Sequence, residues 1–186
     1  MAAGAAPLHI FLMLGMVIAL GQAFPQGVSA ANHPKRLRFY MYVAVQNNSD
    51  INNPKANYTA VQSAQPPRTE PFAFGIIHTF DNPLTTAPDL GSRRVGRVQG
   101  YYGNVGQSVL TLFLVQTFTY DDGKHRGTFS LVGVDVVTDK HKLSPIVGGT
   151  GDFSYARGIA DQVLISTSVV NNMTTSWFRY SVKFKY

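Results

Sequence analysis

The stretch Val147-Gly148-Gly149-Thr150-Gly151-Asp152-Phe153-Ser154-Tyr155-Ala156-Arg157-Gly158 crowds a tight glycine turn, an Asp-Phe step and an Arg-Gly step into twelve residues. Gly148, Gly149 and Gly151 suit the positive φ angles of a loop between strands, which residues with a Cβ adopt only with strain. A phosphate-binding reading fails. No Gly-Lys-Ser/Thr follows at the required spacing, and no helix-forming run comes next to aim its N-terminus at a phosphate. The stretch therefore reads as a glycine loop inside β-structure.

Working outward, strand signals dominate on both sides. Leu37 to Val45 alternates Leu37, Phe39, Met41, Val43 and Val45 against Arg38, Tyr40, Tyr42 and Ala44, the period of a strand with one buried face. Asn47 to Pro71, rich in Asn, Pro, Gln and Ser, reads as a long connection. Phe72 to Phe80 reads as a strand ended by an Asp81-Asn82-Pro83 turn. Val95 to Val105 and Ser108 to Tyr120 form a hairpin around Gly106-Gln107, and Asp121-Asp122-Gly123 turns the chain into Gly127 to Thr138. Ala156 to Val170 and Ser176 to Tyr186 make the last pair, the final strand alternating Phe178, Tyr180, Val182, Phe184 and Tyr186 against polar neighbours. About eight strands with regular turns and no convincing helix predict an all-β sandwich or barrel. Ser108 to Tyr120 is apolar on both faces, which points to a subunit interface on its outer side.

At 186 residues the chain holds one domain, read as residues 31–186. Residues 1–30 read as a secretory signal peptide. Ile10 to Leu20 is a short apolar run, followed by Gly21-Gln22-Ala23 and Val28-Ser29-Ala30, two small-residue patterns suited to cleavage. A run this short cannot cross a bilayer as a helix, so no membrane span is expected and the mature protein is read as extracellular. With no cysteine there is no disulfide framework, and burial and sheet hydrogen bonding must hold the fold. Three sequons, at Asn47, Asn57 and Asn172, fit export and predict glycosylation on surface loops.

A formal charge of +6 favours acidic surfaces, for a secreted protein a wall polyanion such as pectin. Lys and Arg are scattered, with no dense stripe beside stacking aromatics, which argues against nucleic acid. His33, His125 and His141 lack metal-ligand spacing, so no metal is expected. No Gly-x-Ser-x-Gly elbow supports a serine hydrolase. No haem, copper or flavin motif occurs either, so no cofactor is expected and any oxidation must come from a separate enzyme.

Several motifs in order resemble the plant dirigent proteins: Leu37-Arg38-Phe39-Tyr40-Met41, Phe74-Gly75, Asp81-Asn82-Pro83-Leu84-Thr85, Val95-Gly96-Arg97-Val98-Gln99-Gly100-Tyr101-Tyr102, and Val147 to Gly158. The resemblance covers nearly the whole mature chain. It implies an eight-stranded antiparallel β-barrel, of the dirigent and allene oxide cyclase type, assembled as a homotrimer in the apoplast or cell wall. It also implies one of two activities. Some family members direct the coupling of phenoxy radicals, made by a separate laccase or peroxidase from phenylpropanoids such as coniferyl alcohol, towards lignans. Others act on quinone methides, using acidic side chains to steer ring closure or loss of water. Both tasks need an apolar cavity of aromatic size with a few polar groups to fix phenol oxygens and move a proton.

The resemblance implies pocket roles for three residues, and the strand pattern agrees for two of them. Asp135 is in phase with Phe129, Leu131 and Val137, so its carboxylate should face the interior and act as a proton donor. Tyr102, in phase with Val98 and Gly100, should hold a substrate oxygen or pack the wall. Lys142 falls where the family usually has an arginine, keeping the charge but losing the bidentate fork. Val43, Phe39, Phe129 and Leu131 are expected to line the pocket. The first strand departs from the pattern, with Tyr42-Val43 in place of the family's His-Asp, so an interior acid is lost. His78, in phase with Phe74, Ile76 and Phe80, offers an imidazole as a replacement proton carrier or as a structural histidine. Three readings stay open at this stage: radical-coupling guide, quinone methide cyclase or dehydratase, and non-catalytic cell-wall or defence protein.

Overall fold

The computed structural model describes residues 33–45, 57–66, 70–170 and 173–186. The proposed signal peptide and the Asn47 and Asn172 sequons lie outside the described residues. Nine strands follow in chain order: β1 (Arg36–Val45), β2 (Ala60–Ala64), β3 (Ile77–Thr85), β4 (Arg94–Asn104), β5 (Thr111–Asp121), β6 (Arg126–Val136), β7 (Lys142–Gly151), β8 (Arg157–Val170) and β9 (Met173–Lys185). They close into a barrel in that order, β1 meeting β9 along its full length from Arg36↔Lys183 to Val45↔Thr174. The ladders are antiparallel except the short β1–β2 contact at Val45↔Ala60. The all-β barrel expected from the sequence is present, with nine strands among the described residues instead of eight.

Three local expectations need correction. Strand β2 lies inside the segment read as a connection. Its Ala-Val-Gln-Ser-Ala carries almost no hydrophobic signal, and it exists because Ala60, Val61 and Gln62 pair with Phe80, Thr79 and His78 of β3. The Asp81-Asn82-Pro83 stretch is not a turn but the middle of β3, paired with Gln99, Val98 and Arg97. Proline is tolerated there because β3 exchanges its second neighbour at that point, from β2 up to Phe80 to β1 from Leu84, so no ladder bond needs the missing N–H. At the other end, Pro71–Ala73 forms a 3-10 turn with Phe72 exposed, and β3 starts only at Ile77.

The glycine stretch is likewise more strand than loop. Gly148, Gly149, Thr150 and Gly151 belong to β7 and pair with Ser130, Phe129, Thr128 and Gly127 of β6; only Asp152 to Tyr155 turns. Glycine is required because Phe153 folds back into the core beneath the strand. A Cβ on Gly149 would lie 2.5 Å from the carbonyl oxygens of both Phe153 and Thr128.

One half of the barrel is filled. Phe39, Phe118, Phe129, Phe153 and Tyr180 are fully buried, with Phe118 and Phe129 stacked at 4.7 Å and Phe39 and Tyr180 at 5.4 Å. Each such ring contributes about 2–3 kcal/mol by burial. The residues of β1, β5, β6 and β9 that continue these inward rows towards the other end, namely Met41, Val43, Leu114, Asp135 and Phe178, surround open space. On the outside, Tyr101, Phe113 and Val134 are exposed, and with Val115 and Val132 they make an apolar patch across β4, β5 and β6.

Candidate functional site

The open half holds a cavity of about 140 Å³, walled by Met41, Val43, Val45, Phe80, Leu112, Leu114 and Phe178, with Tyr102, Asn82, Gln116, Asp135, Gln162 and Ser176 as its polar members. Leu112, Asp135 and Phe178 also border an outer compartment of about 330 Å³, completed by Val137, Asp139, Lys140, Lys142 and Leu164. The inner space alone is smaller than the roughly 300–1,000 Å³ of common small-molecule sites, and the two together reach that range.

Asp135 stands at the neck between them. The two-residue period of β6 turns it inward with Phe129 and Leu131. Lys142, at the start of β7, places its ammonium 2.5 Å from Asp135 Oδ1, and both side chains keep only 9% of their exposure. The other Lys142 hydrogens are donated to the carbonyl oxygens of Val136 at 3.1 Å and Val137 at 3.2 Å, so all three N–H groups are satisfied. Asp135 Oδ2 has no protein partner among the described residues. Burial pushes the Asp135 carboxyl above the ordinary carboxylate range, and the Lys142 ammonium opposes part of that rise. A lysine suffices where a fork was expected, since it serves one carboxylate oxygen and two carbonyls.

Tyr102 lines the cavity from β4, and burial pushes its hydroxyl up to about 12, so near neutrality it keeps its proton and can donate it in a hydrogen bond to a ligand. His78 does not reach the cavity. The β3–β4 register sets it opposite Tyr102, and its ring stacks on that of Tyr102 at 4.7 Å with the planes 13° apart. Burial lowers the His78 pKa and its Nδ1 is sealed without a partner, so the imidazole is a neutral support for Tyr102. Val43 does line the cavity, and an apolar wall stands where the family pattern has an acid. Phe39, Phe129 and Leu131 share its inward parity yet belong to the packed half, where neighbouring rings fill the space.

Two functional candidates escaped the sequence reading. Gln116 and Gln162 are 2% and 8% exposed, both line the cavity, and the Tyr180 hydroxyl lies 3.0 Å from Gln116 Oε1 and 2.5 Å from Gln162 Oε1. A signal for Gln116 existed, since it is the polar member of the inward row Leu112, Leu114, Phe118. Gln162 has a weaker one, following Ala160 in β8.

A dirigent-like protein family model matches residues 34–184, nearly all of the barrel. The chain belongs to the dirigent family. Dirigent protein 21 of Arabidopsis thaliana is 31% identical, over 91% of this chain and 88% of that protein. Pterocarpan synthase 1 of Glycyrrhiza echinata is 31% identical, over 81% and 79% respectively. A solved pterocarpan synthase dirigent protein superposes with a TM-score of 0.67 at 27% identity, covering 80% of this chain and 87% of the other. This dirigent barrel thus resembles proteins named for a synthase reaction as well as proteins named only as dirigent, and it departs from the family's first-strand pattern at Tyr42-Val43.

Proposed function

We propose that this dirigent barrel takes one phenylpropanoid-type intermediate into its open half and uses Asp135 to carry it through a quinone methide, so that the next bond forms on one face only. The observation that carries this reading is a buried carboxyl, one oxygen of which has no partner among the described residues, at the neck of a largely apolar cavity of single-ring size. The likeness to proteins named pterocarpan synthase supports it.

Neutral Asp135, favoured by burial, gives its proton to a benzylic hydroxyl, which leaves as water when the C–O bond breaks. Loss of the phenol proton to solvent then leaves a neutral quinone methide. A second hydroxyl of the same molecule adds to the exocyclic carbon, its proton returns to the Asp135 carboxylate, and the phenol regains a proton from solvent. The net change is one water lost and one ring closed. The flat walls supplied by Phe80, Tyr102 and Phe178 hold the ring in one orientation, which sets the face of attack. The test is Asp135→Asn assayed with a hydroxybenzyl alcohol precursor and chiral chromatography. Turnover should fall by about 10²-fold or more, and unchanged turnover overturns the reading.

A second reading, stereoselective coupling of phenoxy radicals from a separate laccase or peroxidase, is favoured by the outer compartment, which gives a second ring a place beside Phe178 and Leu112. Oxidising coniferyl alcohol with a laccase in the presence of the protein tests it, and racemic dimers reject it for that substrate. We place either activity outside the cell, in the apoplast, on the strength of the export signal read in residues 1–30 and the exposed Asn57 of a sequon. We also infer a trimer joined through the apolar patch around Phe113 and Val134; Phe113→Lys should then give a monomer in size-exclusion chromatography.

A further inference from the structure

The floor of the cavity contains a hydrogen-bonding puzzle with one solution. The Tyr180 phenol has a single proton, yet it lies within hydrogen-bond distance of two glutamine amides. It can donate to one amide carbonyl only. The other amide must turn its N–H towards the phenol oxygen, because two oxygens cannot share a contact without a hydrogen between them; amide oxygen and nitrogen are interchangeable in position. Each amide therefore spends one end on Tyr180 and shows the other end to the cavity. One end shown is N–H, the other is C=O.

Neither glutamine has another side-chain partner among the described residues. The sealed side-chain atoms without a hydrogen bond there are His78 Nδ1, Asn104 Oδ1, His125 Nδ1 and Arg179 Nε, so the free amide ends of Gln116 and Gln162 reach open space. Both amides meet at Tyr180, where the cavity adjoins the packed half. Asp135 is near enough for its charge to act on Tyr180, and its partner Lys142 is the strand neighbour of Gln162, so a ring in the cavity meets the amide pair and the acid within one small space.

We propose that Gln116 and Gln162, oriented by Tyr180, form a subsite for a free aromatic hydroxyl, donating to its oxygen through one amide and accepting its proton through the other. The inference rests on the cavity being the ligand site, as in the function proposed above. It adds which residues read the free hydroxyl of the ring. A methyl ether can accept from the amide N–H but leaves the facing carbonyl buried and unpaired, and such an unpaired group discriminates more strongly than a missing contact. When the phenol becomes the carbonyl of a quinone methide the amide N–H still serves it, while the facing amide carbonyl loses its partner, so the subsite favours the phenol over the intermediate.

The experiment titrates the full chain with 4-methylphenol and with 4-methylanisole, following binding by calorimetry. The wild type should bind the phenol at least about tenfold more tightly. In Gln116→Met/Gln162→Met/Tyr180→Phe, which also removes the hydroxyl that the two amides would otherwise leave bare, the preference should fall to about twofold or less, with the ether bound at least as well as before, since an apolar floor no longer penalises it. Gln162→Met alone leaves Tyr180 a partner in Gln116, guards against loss of fold, and should give an intermediate preference. Equal wild-type affinities, or a preference that survives the triple substitution, overturn the subsite while leaving the cavity as the ligand site. Failure of the wild type to bind either ring overturns the cavity reading itself.

Discussion

The ammonium of Lys142 sits 2.5 Å from Asp135 Oδ1 and is held there by the backbone carbonyls of Val136, which ends β6, and Val137 just beyond it. The carboxyl is thereby left one oxygen for a ligand. Burial and ion pairing act on it in opposite directions, so the cation sets how readily the acid gives up its proton. Lys142→Met removes the opposing influence, so the Asp135 pKa rises further and the alkaline limb of an acid-dependent turnover profile moves to higher pH. Lys142→Arg keeps the charge and should hold the limb near its wild-type place. A pH–rate series on the three proteins measures this.

Stability should carry the same signature. Because the folded carboxyl binds its proton more tightly than the unfolded one, whose ordinary value is 3.8, the wild type loses stability as pH rises from there through the raised native pKa. Asp135→Asn cannot titrate. The difference in unfolding free energy between the two proteins, taken from urea titrations at several pH values, should shift against the wild type across that window and be flat above it.

Val43 tests the apolar wall directly. It is 9% exposed and lines the cavity between Met41 and Val45 of the same strand, with Phe80 also in the wall. Val43→Asp restores the acid of the family pattern but puts a charge where no cation waits, at a cost of about 2–4 kcal/mol at pH 7. Neutralising the new carboxyl at pH 4 should recover most of that loss. A melting temperature unchanged at both pH values would mean that this residue faces solvent.

The His78–Tyr102 stack predicts acid sensitivity near the rim. The folded imidazole has a lowered pKa, so its contribution is present above the ordinary 6.5 and is lost as pH falls from 6.5 through the native value. His78→Phe preserves a ring against Tyr102 without the titration. Thermal melts at pH 7 and pH 5 should show a smaller acid-induced drop for His78→Phe than for the wild type.

Gly158 closes the signature stretch with φ at +140°, and a Cβ there would stand 2.0 Å from the Lys183 carbonyl oxygen of β9. Both the backbone angle and the β8–β9 ladder exclude a side chain. Gly158→Ala should therefore cost about 3 kcal/mol or more, read as a fall in the urea midpoint. Gly123→Ala makes a useful contrast, because its Cβ would meet nothing within 4 Å and only the φ of +83° is strained. It should cost about 1 kcal/mol.

Much of the wall was legible from residue order. Alternation in β1, β5, β6 and β9 marked inward and outward faces correctly, because side-chain direction along a strand repeats every two residues regardless of what the strand meets. The same rule turned Asp135, Tyr102 and Val43 inward. It misled where a strand carries no alternation, as in β2, and where turn-forming residues are held straight by their neighbours, as at Asp81-Asn82-Pro83. There Asn82 is buried, accepting a hydrogen bond from the Thr59 hydroxyl at 2.6 Å, a contact no local pattern announces.

What the sequence alone determined is the kind of molecule, a β-barrel of the dirigent family, and, in the strands that alternate, the side of the wall on which a residue lies. Depth along the barrel was decided only by the tertiary structure. Phe39, Phe129 and Leu131 share parity with Val43 and Asp135, yet the first three are packed solid and the last two face open space. Parity is a local property of one strand, whereas filling depends on which residues of distant strands meet at the same level. Phe39 opposite Tyr180 closes one half, and Gln116, Gln162 and Tyr180 together make the floor of the other.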